Sequence, residues 1–167
     1  QGYIRDLLEE ESMFFEKLYC YVIYRPAWWL QLSQKGITDI THWMKGKRGR
    51  IFTGKYKGKK VAIKVKHEKV DNSTLAKEAR FLKLANTKDI GARFVMSGTQ
   101  YVVYEFVPGK VFKETPITKK ILVNLLQQSR QLDLLGFSKG EMLRPYKNVI
   151  INKGKPVLID FERSKPE

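Results

Sequence analysis

Residues 46–66 read GKRGRIFTGKYKGKKVAIKVK, and this stretch decides the fold. β-Branched and aromatic residues flank a short Lys-Gly-Lys turn, so the pattern predicts a β-hairpin with strands Ile51–Tyr56 and Lys60–Lys66. The stretch begins with Gly46 and Gly49, and glycines let backbone N–H groups approach phosphate oxygens without obstruction by a Cβ atom. Turn geometry alone also explains such glycines, so both interpretations stay open at this point.

The second strand of this hairpin contains Val-Ala-Ile-Lys at residues 61–64. An ammonium group in an apolar strand must either face solvent or meet an anion. Lys66 shares a strand face with Lys64, which leaves a solvated face as the competing interpretation. The following residues 74–85, TLAKEARFLKLA, have the spacing of an amphipathic helix, and its Glu78 is a candidate partner for Lys64. An ordinary surface carboxylate is the alternative for Glu78.

Two polar clusters, KGEMLRPYKNV and VLIDFER, bracket a second predicted hairpin with strands Asn148–Ile151 and Pro156–Asp160. A lone carboxylate at the end of an apolar strand needs a cation or another partner, which makes Asp160 a candidate functional residue. Asn148 begins the preceding strand, so the two side chains can converge at one end of the hairpin. Amide and carboxylate oxygens suit Mg²⁺ that also carries substrate phosphates. Glu141 lies close enough upstream to approach a hydroxyl acceptor.

The remaining elements are recognised by their hydrophobic spacing. They are an amphipathic helix over 1–25, a short helix over Ala27–Gln34, strands over Arg93–Met96 and Gln100–Phe106, and a long helix over about 118–135. The apolar stripe of the long helix is predicted to be Ile121, Leu122, Leu125, Leu126, Leu132 and Leu135. This order predicts an α+β protein in two lobes, with a ligand-sized cleft near the junction at Val107–Lys110.

Composition narrows the class of protein. With 167 residues, 43% of them hydrophobic, the chain can bury a core and is not disordered as a whole. No apolar run approaches the ~20 residues of a membrane span, no signal peptide is recognisable, and the single Cys20 excludes a disulfide framework, so we expect a cytoplasmic protein. The missing initiator Met predicts a processed, trimmed or partial chain. The net charge of +15 favours nucleic acid, anionic membrane or polyphosphate ligands, or simply gives a solvated basic surface.

Taken together, the glycine loop, VAIK, the helix glutamate, YEFVPG, E-x-x-x-P-x-x-N and IDFE resemble the protein-kinase-like fold from about Gly46 to the C-terminus. More closely, KEARFLKLAN, DIGARF, VYEFVPG, RPYKN and VLIDFE are similar to the small atypical archaeal serine/threonine kinases related to the RIO and lipopolysaccharide-kinase-like families. The resemblance implies a two-lobed minimal fold. An N-terminal helical extension would cover residues 1–44, an N-lobe residues 45–107, and a truncated C-lobe residues 108–167.

The resemblance also implies an ATP site. Lys64 would contact the α- and β-phosphates and pair with Glu78, while the backbone of Glu105–Val107 would offer hinge groups to adenine. Tyr104 would stand at the gatekeeper position. The residues implied to contact the nucleotide are Gly46, Gly49, Ala62, Lys64, Glu78, Tyr104, Glu105, Val107 and Ile159, with Ala62 and Ile159 on either side of the base.

For catalysis, the resemblance implies that Asn148 and Asp160 hold Mg²⁺ and that Glu141 stands where kinases have their catalytic Asp. The activity would be transfer of the γ-phosphoryl group of ATP to a hydroxyl of a protein, of the chain itself or of a small molecule. An acidic protein or an RNA-containing assembly would suit the basic surface.

Several positions depart from the kinase pattern. Glu141 precedes Asn148 by seven positions, and Leu143 occupies the position of the usual base. Lys139 stands where His is expected, and Glu162 replaces the glycine of Asp-Phe-Gly. A nucleotide-binding pseudokinase or ATPase scaffold, and a nucleic-acid-binding module on a degenerate kinase fold, therefore stand as alternatives to an active kinase.

Overall fold

A computed structural model describes residues 25–45, 49–66, 73–140 and 145–166. The helix predicted for residues 1–25 lies outside these ranges except for Arg25. The chain forms two compact units, of which the first ends at Ile37 and the second comprises Thr38–Glu167. The helix predicted in the first unit is confirmed at Ala27–Gln34, where Trp28 and Leu32 are buried.

The described residues form a mixed α/β structure. Its α-helices are α1 (Ala27–Gln34), α2 (Ser73–Asn86) and α3 (Lys119–Leu134). Its strands are β1 (Thr38–Lys45), β2 (Gly49–Tyr56), β3 (Lys59–Lys66), β4 (Phe94–Ser97), β5 (Tyr101–Glu105), β6 (Lys110–Val111), β7 (Phe137–Ser138), β8 (Val149–Asn152), β9 (Lys155–Leu158) and β10 (Lys165–Pro166). Short 3₁₀ turns occupy Phe112–Glu114 and Pro145–Lys147.

The largest sheet has five strands in the order β1-β2-β3-β5-β4, and each neighbouring pair is antiparallel. The predicted hairpin is confirmed as β2 and β3. Its turn consists of Lys57 and Gly58, whose φ angles of 48° and 75° are those of a two-residue type I′ turn. The strands predicted around residue 98 are also confirmed, as β4 and β5.

Strand β1 corrects the predicted domain boundary. A helical extension to residue 44 is wrong for residues 38–44, because these residues pair with β2 as the edge strand of the sheet. Only Ile40 and His42 of this strand are half-buried, and its other residues are exposed. The hydrophobic alternation that identifies a strand is therefore weak here.

Helix α2 packs one face against the sheet. Four apolar residues at helical spacing, Leu75, Ala79, Leu82 and Ala85, are all buried on this face. Leu75 and Ala79 form a cluster with Val102 of strand β5. This packing places the face of α2 that carries Leu75 and Ala79 against the face of the sheet that carries Val102.

The predicted position of helix α3 is confirmed, but only part of its predicted apolar stripe is buried. It begins after Thr118, whose hydroxyl accepts a hydrogen bond of 3.3 Å from the Ile121 N–H. Ile121, Leu125 and Leu132 are buried, whereas Leu122 and Leu126 are 46% and 70% exposed. The predicted inward positions of these last two leucines are therefore wrong.

The second predicted hairpin is confirmed as β8 and β9, which join β6 in a three-stranded sheet. One buried cluster is shared by α2, α3 and this hairpin. Its members are Phe81, Leu82, Ala85, Ile90, Phe112, Ile121, Leu125, Leu132, Phe137, Val149, Ile151, Leu158 and Phe161. Within the described ranges, no helix combines the length and apolar character that a membrane crossing needs.

Candidate functional site

Lys64 lies at the centre of a cluster of charged side chains. It pairs with Val102 across strands β3 and β5, and Val102 packs on helix α2, so the alternation of the strand directs Lys64 to that helix. Glu78 shares the inward face of α2 with Leu75 and Ala79. The Lys64 Nζ lies 2.9 Å from Oε2 of Glu78, whose side chain is 3% exposed. The predicted pairing of these two residues is therefore present.

Two further carboxylates reach Lys64 from the segment that follows strand β9. Oδ1 of Asp160 lies 3.1 Å from the Lys64 Nζ, and Oε2 of Glu162 lies 3.5 Å from it. Asp160 has a φ angle of 63°, in the left-handed region that Asp tolerates better than most residues. Its Oδ1 accepts a hydrogen bond of 3.4 Å from the Glu162 N–H. This sharp bend brings two residues of one short segment to the same lysine.

The ionisation of these groups follows from burial and from each other's charge. Burial alone would lower the pKa of Lys64, but the attraction of Glu78 and Asp160 outweighs it and holds that pKa well above its ordinary value. Burial raises the pKa of Glu78 despite its contact with Lys64. Burial would also raise the pKa of Asp160, yet Lys64 and then Lys139 outweigh burial and lower that pKa. Lys64 and Asp160 are accordingly an ionised pair at neutral pH.

Asn148 lies at the end of the hairpin where Asp160 leaves it. The Ile159 N–H donates a hydrogen bond of 2.9 Å to the carbonyl oxygen of Asn148, next to the register pair of Val149 and Leu158. The backbones of Asn148 and Ile159 therefore meet at this end of the hairpin, one residue before Asp160, and the convergence of the Asn148 and Asp160 side chains stays a prediction.

The carboxylates also form a group with the chemistry of a cation site. One oxygen each from Glu78, Asp160 and Glu162 lies within 4.8 Å of the other two. Hard divalent cations such as Mg²⁺ prefer carboxylate oxygens, so the residues present fit such an ion. The sequence predicts no role for Glu162. The available signal was its spacing of two residues from Asp160 in IDFE.

Ala62, predicted to contact the base, lies in strand β3, and Tyr104, predicted as the gatekeeper, lies in strand β5. Ala62 and Tyr104 are opposite each other in these strands, and burial raises the pKa of Tyr104. The backbone N–H groups of Glu105 and Phe106 donate to carbonyl oxygens of neighbouring segments at 2.8 and 3.0 Å. Val107 follows the end of β5, and no backbone hydrogen bond among the described residues involves it. Of these hinge positions, Val107 is the one whose N–H group has no backbone acceptor within the described part of the chain.

Gly49 has a structural role that the sequence left open. A Cβ atom at this position would collide with the carbonyl oxygen of Val65 on the neighbouring strand. Close pairing of β2 and β3 therefore requires glycine here. Gly46 and Glu141 lie outside the described residues, and their roles stay predictions.

Lys139 is a buried cation next to the cluster. It is 4% exposed, and its Nζ lies 5.4 Å from the centroid of the Phe161 ring. Its charge also contributes to the lowered pKa of Asp160. Lys139, which stands where a kinase has His, thus favours the ionised form of Asp160.

Comparison with known proteins identifies solved structures of similar fold. No protein-family model and no curated protein match the chain. A structure of the Rio2 kinase from Chaetomium thermophilum, an ADP/Mg²⁺-phosphoaspartate complex, matches with a TM-score of 0.65 and 12% identity over 82% of this chain and 51% of that chain. A second structure of the Rio2 kinase from the same organism matches with a TM-score of 0.69 and 14% identity over 82% of this chain and 53% of that chain.

The chain therefore spans about half the length of these Rio2 kinase structures. At this low identity the likeness shows the fold alone. The fold is protein-kinase-like and similar to that of Rio2 kinase, which confirms the predicted fold at this level.

Proposed function

We propose that this chain is an ATP- and Mg²⁺-dependent protein kinase of the atypical serine/threonine type. The observation that carries the proposal is the position of Lys64, which contacts Glu78 of a helix and Asp160 after a hairpin at 2.9 and 3.1 Å. A kinase needs a lysine for the phosphates, a carboxylate that orients it, and a carboxylate for the metal. The kinase-like fold supports assigning these roles to the three residues.

Each side chain would bind a different part of the nucleotide. Lys64 donates to the α- and β-phosphates while Glu78 keeps the ammonium in place. Asp160 and Asn148 hold Mg²⁺, which neutralises phosphate charge when it is bound. Ala62 and Ile159 enclose the adenine, and the backbone N–H of Val107 donates to it.

The reaction would be an in-line displacement. The oxygen of an acceptor hydroxyl forms a bond to the γ-phosphorus, and the bond from that phosphorus to the β–γ bridging oxygen breaks, so that ADP leaves with the electron pair. Glu141 accepts the hydroxyl proton, and Lys64 stabilises the charge on the phosphates. The acceptor is a protein hydroxyl, on another protein or on the chain itself.

Labelling with radioactive ATP tests the proposal. The parent chain is expected to incorporate label into itself or into an added basic or acidic protein acceptor, and Lys64→Ala and Asp160→Ala are expected to lose at least about 100-fold of that rate. The control Asp89→Asn changes an exposed ion pair with Arg93 and should label like the parent. A parent chain that labels no faster than Lys64→Ala would refute the kinase activity. Glu141→Gln asks separately whether that carboxylate is the base, and an unchanged rate would exclude it.

A second candidate function is nucleotide binding without transfer. Leu143 occupies the position of the usual base, and its side chain performs no acid–base chemistry. This pseudokinase or ATPase scaffold would bind ATP, as measured by calorimetry, and would give no labelled protein. ATP binding without labelled protein would distinguish this scaffold from an active kinase.

A nucleic-acid-binding module is supported only by the net charge of +15. RNA bound through this charge would dissociate steeply as salt rises in a filter-binding assay. Negligible RNA binding at low salt would remove this alternative.

A further inference from the structure

The ammonium group of Lys64 is surrounded by as many carboxylates as it has protons. It carries three N–H donors. Oxygens of Glu78, Asp160 and Glu162 lie 2.9, 3.1 and 3.5 Å from its nitrogen. For Lys64 to donate to a phosphate, at least one of these carboxylates must give up its contact.

The charge in this cluster opposes a polyphosphate ligand. Three carboxylates face Lys64, and the charge of Lys139 also acts on Asp160. The side chains of Lys64 and Glu162 are 14% and 9% exposed, so water screens their interactions only partly. A phosphate chain that approaches Lys64 therefore meets the carboxylates of Asp160 and Glu162 beside the ammonium group.

We propose that Glu162 makes nucleotide binding conditional on a divalent cation. Without the cation, Glu162 shares Lys64 with Asp160 and repels the phosphates. With the cation, Glu162 and Asp160 turn their oxygens to it, and Lys64 is released to the phosphates while it keeps its contact with Glu78. This inference rests on the proposed ATP site and goes beyond it, because Glu162 stands where kinases have glycine.

The geometry selects Glu162 as the residue that changes partner. Its 3.5 Å distance to the Lys64 Nζ is the longest of the three, while Glu78 is the closest. Oxygens on opposite sides of one Mg²⁺ ion are about 4.2 Å apart. The carboxylate oxygens of the cluster, within 4.8 Å of one another, need to move little to share an ion once the ammonium has left their centre.

The test measures nucleotide affinity with and without the cation. Calorimetry gives the Kd of the nonhydrolysable ATP analogue AMP-PNP in excess Mg²⁺ and in EDTA, and the ratio of the two values reports the dependence on the cation. In Glu162→Gln this ratio is expected to fall by about tenfold, mainly because binding in EDTA becomes tighter. Asp89→Asn removes one negative charge from an exposed pair outside the cluster and should keep the ratio of the parent.

The possible results separate this inference from the proposed function. If Glu162→Gln does not fold by circular dichroism, Glu162→Ala replaces it with the same expected change. A ratio equal to that of the parent in the folded variant would overturn the role of Glu162 and leave the ATP site intact. If the parent binds AMP-PNP in neither condition, the proposed function itself is refuted, and this inference falls with it.

Discussion

Asp160 is a carboxylate whose ionised form is stabilised by the fold. Burial acts against that form, but Lys64 at 3.1 Å and the charge of Lys139 outweigh burial and lower its pKa. An acid whose pKa is lower in the folded chain contributes stability above its unfolded pKa, and this contribution disappears as the pH falls through the folded pKa. The relevant range lies below about pH 4.

We therefore predict a pH-dependent effect of Asp160→Asn. At pH 7 the variant should lose about 1 kcal/mol of the free energy of unfolding, because Lys64 keeps Glu78 and Glu162 as partners. The difference between parent and variant should shrink as the pH falls below about 4. Urea unfolding of both proteins at several pH values measures this difference. A difference that stays constant down to pH 3 would contradict the lowered pKa.

At the level of single residues, the sequence predicts the partners of Lys64 only in part. The VAIK pattern and the place of Glu78 on the following helix lead to the pair that the structure contains, and IDFE leads to Asp160. The contact of Glu162 with Lys64 is not predicted, because it depends on the left-handed backbone of Asp160, which no side-chain pattern reveals. Likewise, the need for glycine at position 49 comes from a neighbouring strand and not from the local sequence.

Among the elements, helix α3 has apolar residues on two sides. Its buried side carries Leu132, which is 1% exposed, while Leu126 on the other side is 70% exposed. Helical spacing alone groups both with the same stripe, because residues six positions apart differ by about 120° around the axis, which is close to the width of an ordinary apolar stripe. Burial distinguishes them only after the partner elements are known.

A pair of substitutions on this helix tests the assignment. Leu132→Ala should lower the free energy of unfolding by about 2–5 kcal/mol, because it leaves a cavity in the shared core. Leu126→Ala should change it by less than about 0.5 kcal/mol, because the side chain is already in solvent. Urea unfolding of the two variants provides the comparison. Equal losses would show that Leu126 is also buried in solution.

Strand β1 shows the same limit for a sheet. The sequence predicts β2 and β3 because β-branched and aromatic residues lie on both sides of a short Lys-Gly-Lys turn. β1 is an edge strand with six exposed positions, and its apolar residues Ile40, Trp43 and Met44 do not alternate with polar ones. Only its pairing with β2 identifies it.

Across the whole molecule, the hydrophobic core joins parts of the chain that the sequence assigns to different lobes. Phe81 of α2, Leu125 of α3 and Leu158 of β9 belong to one buried cluster. The resemblance to kinases predicts two lobes but does not predict which side chains meet between them. Such contacts depend on tertiary packing, to which local periodicity is insensitive.

Because of this shared core, we predict that helices α2 and α3 open together. Hydrogen exchange measured by mass spectrometry at rising urea should give peptides from the centres of the two helices the same opening free energy. Peptides of the exposed edge strand β1 serve as the comparison and should exchange faster. If α2 remains protected under conditions that open α3, the two helices do not share a cooperative core.

The partners of Lys64 differ greatly in their distance along the chain. Glu78 belongs to the next element, whereas Asp160 lies 96 positions beyond Lys64. Contacts between distant residues form slowly, because a long loop must close first. During synthesis, Lys64 and Glu78 leave the ribosome well before Asp160 does. A growing chain can therefore build its five-stranded sheet and its first ion pair early, while the candidate site is completed only at the end of translation of this segment.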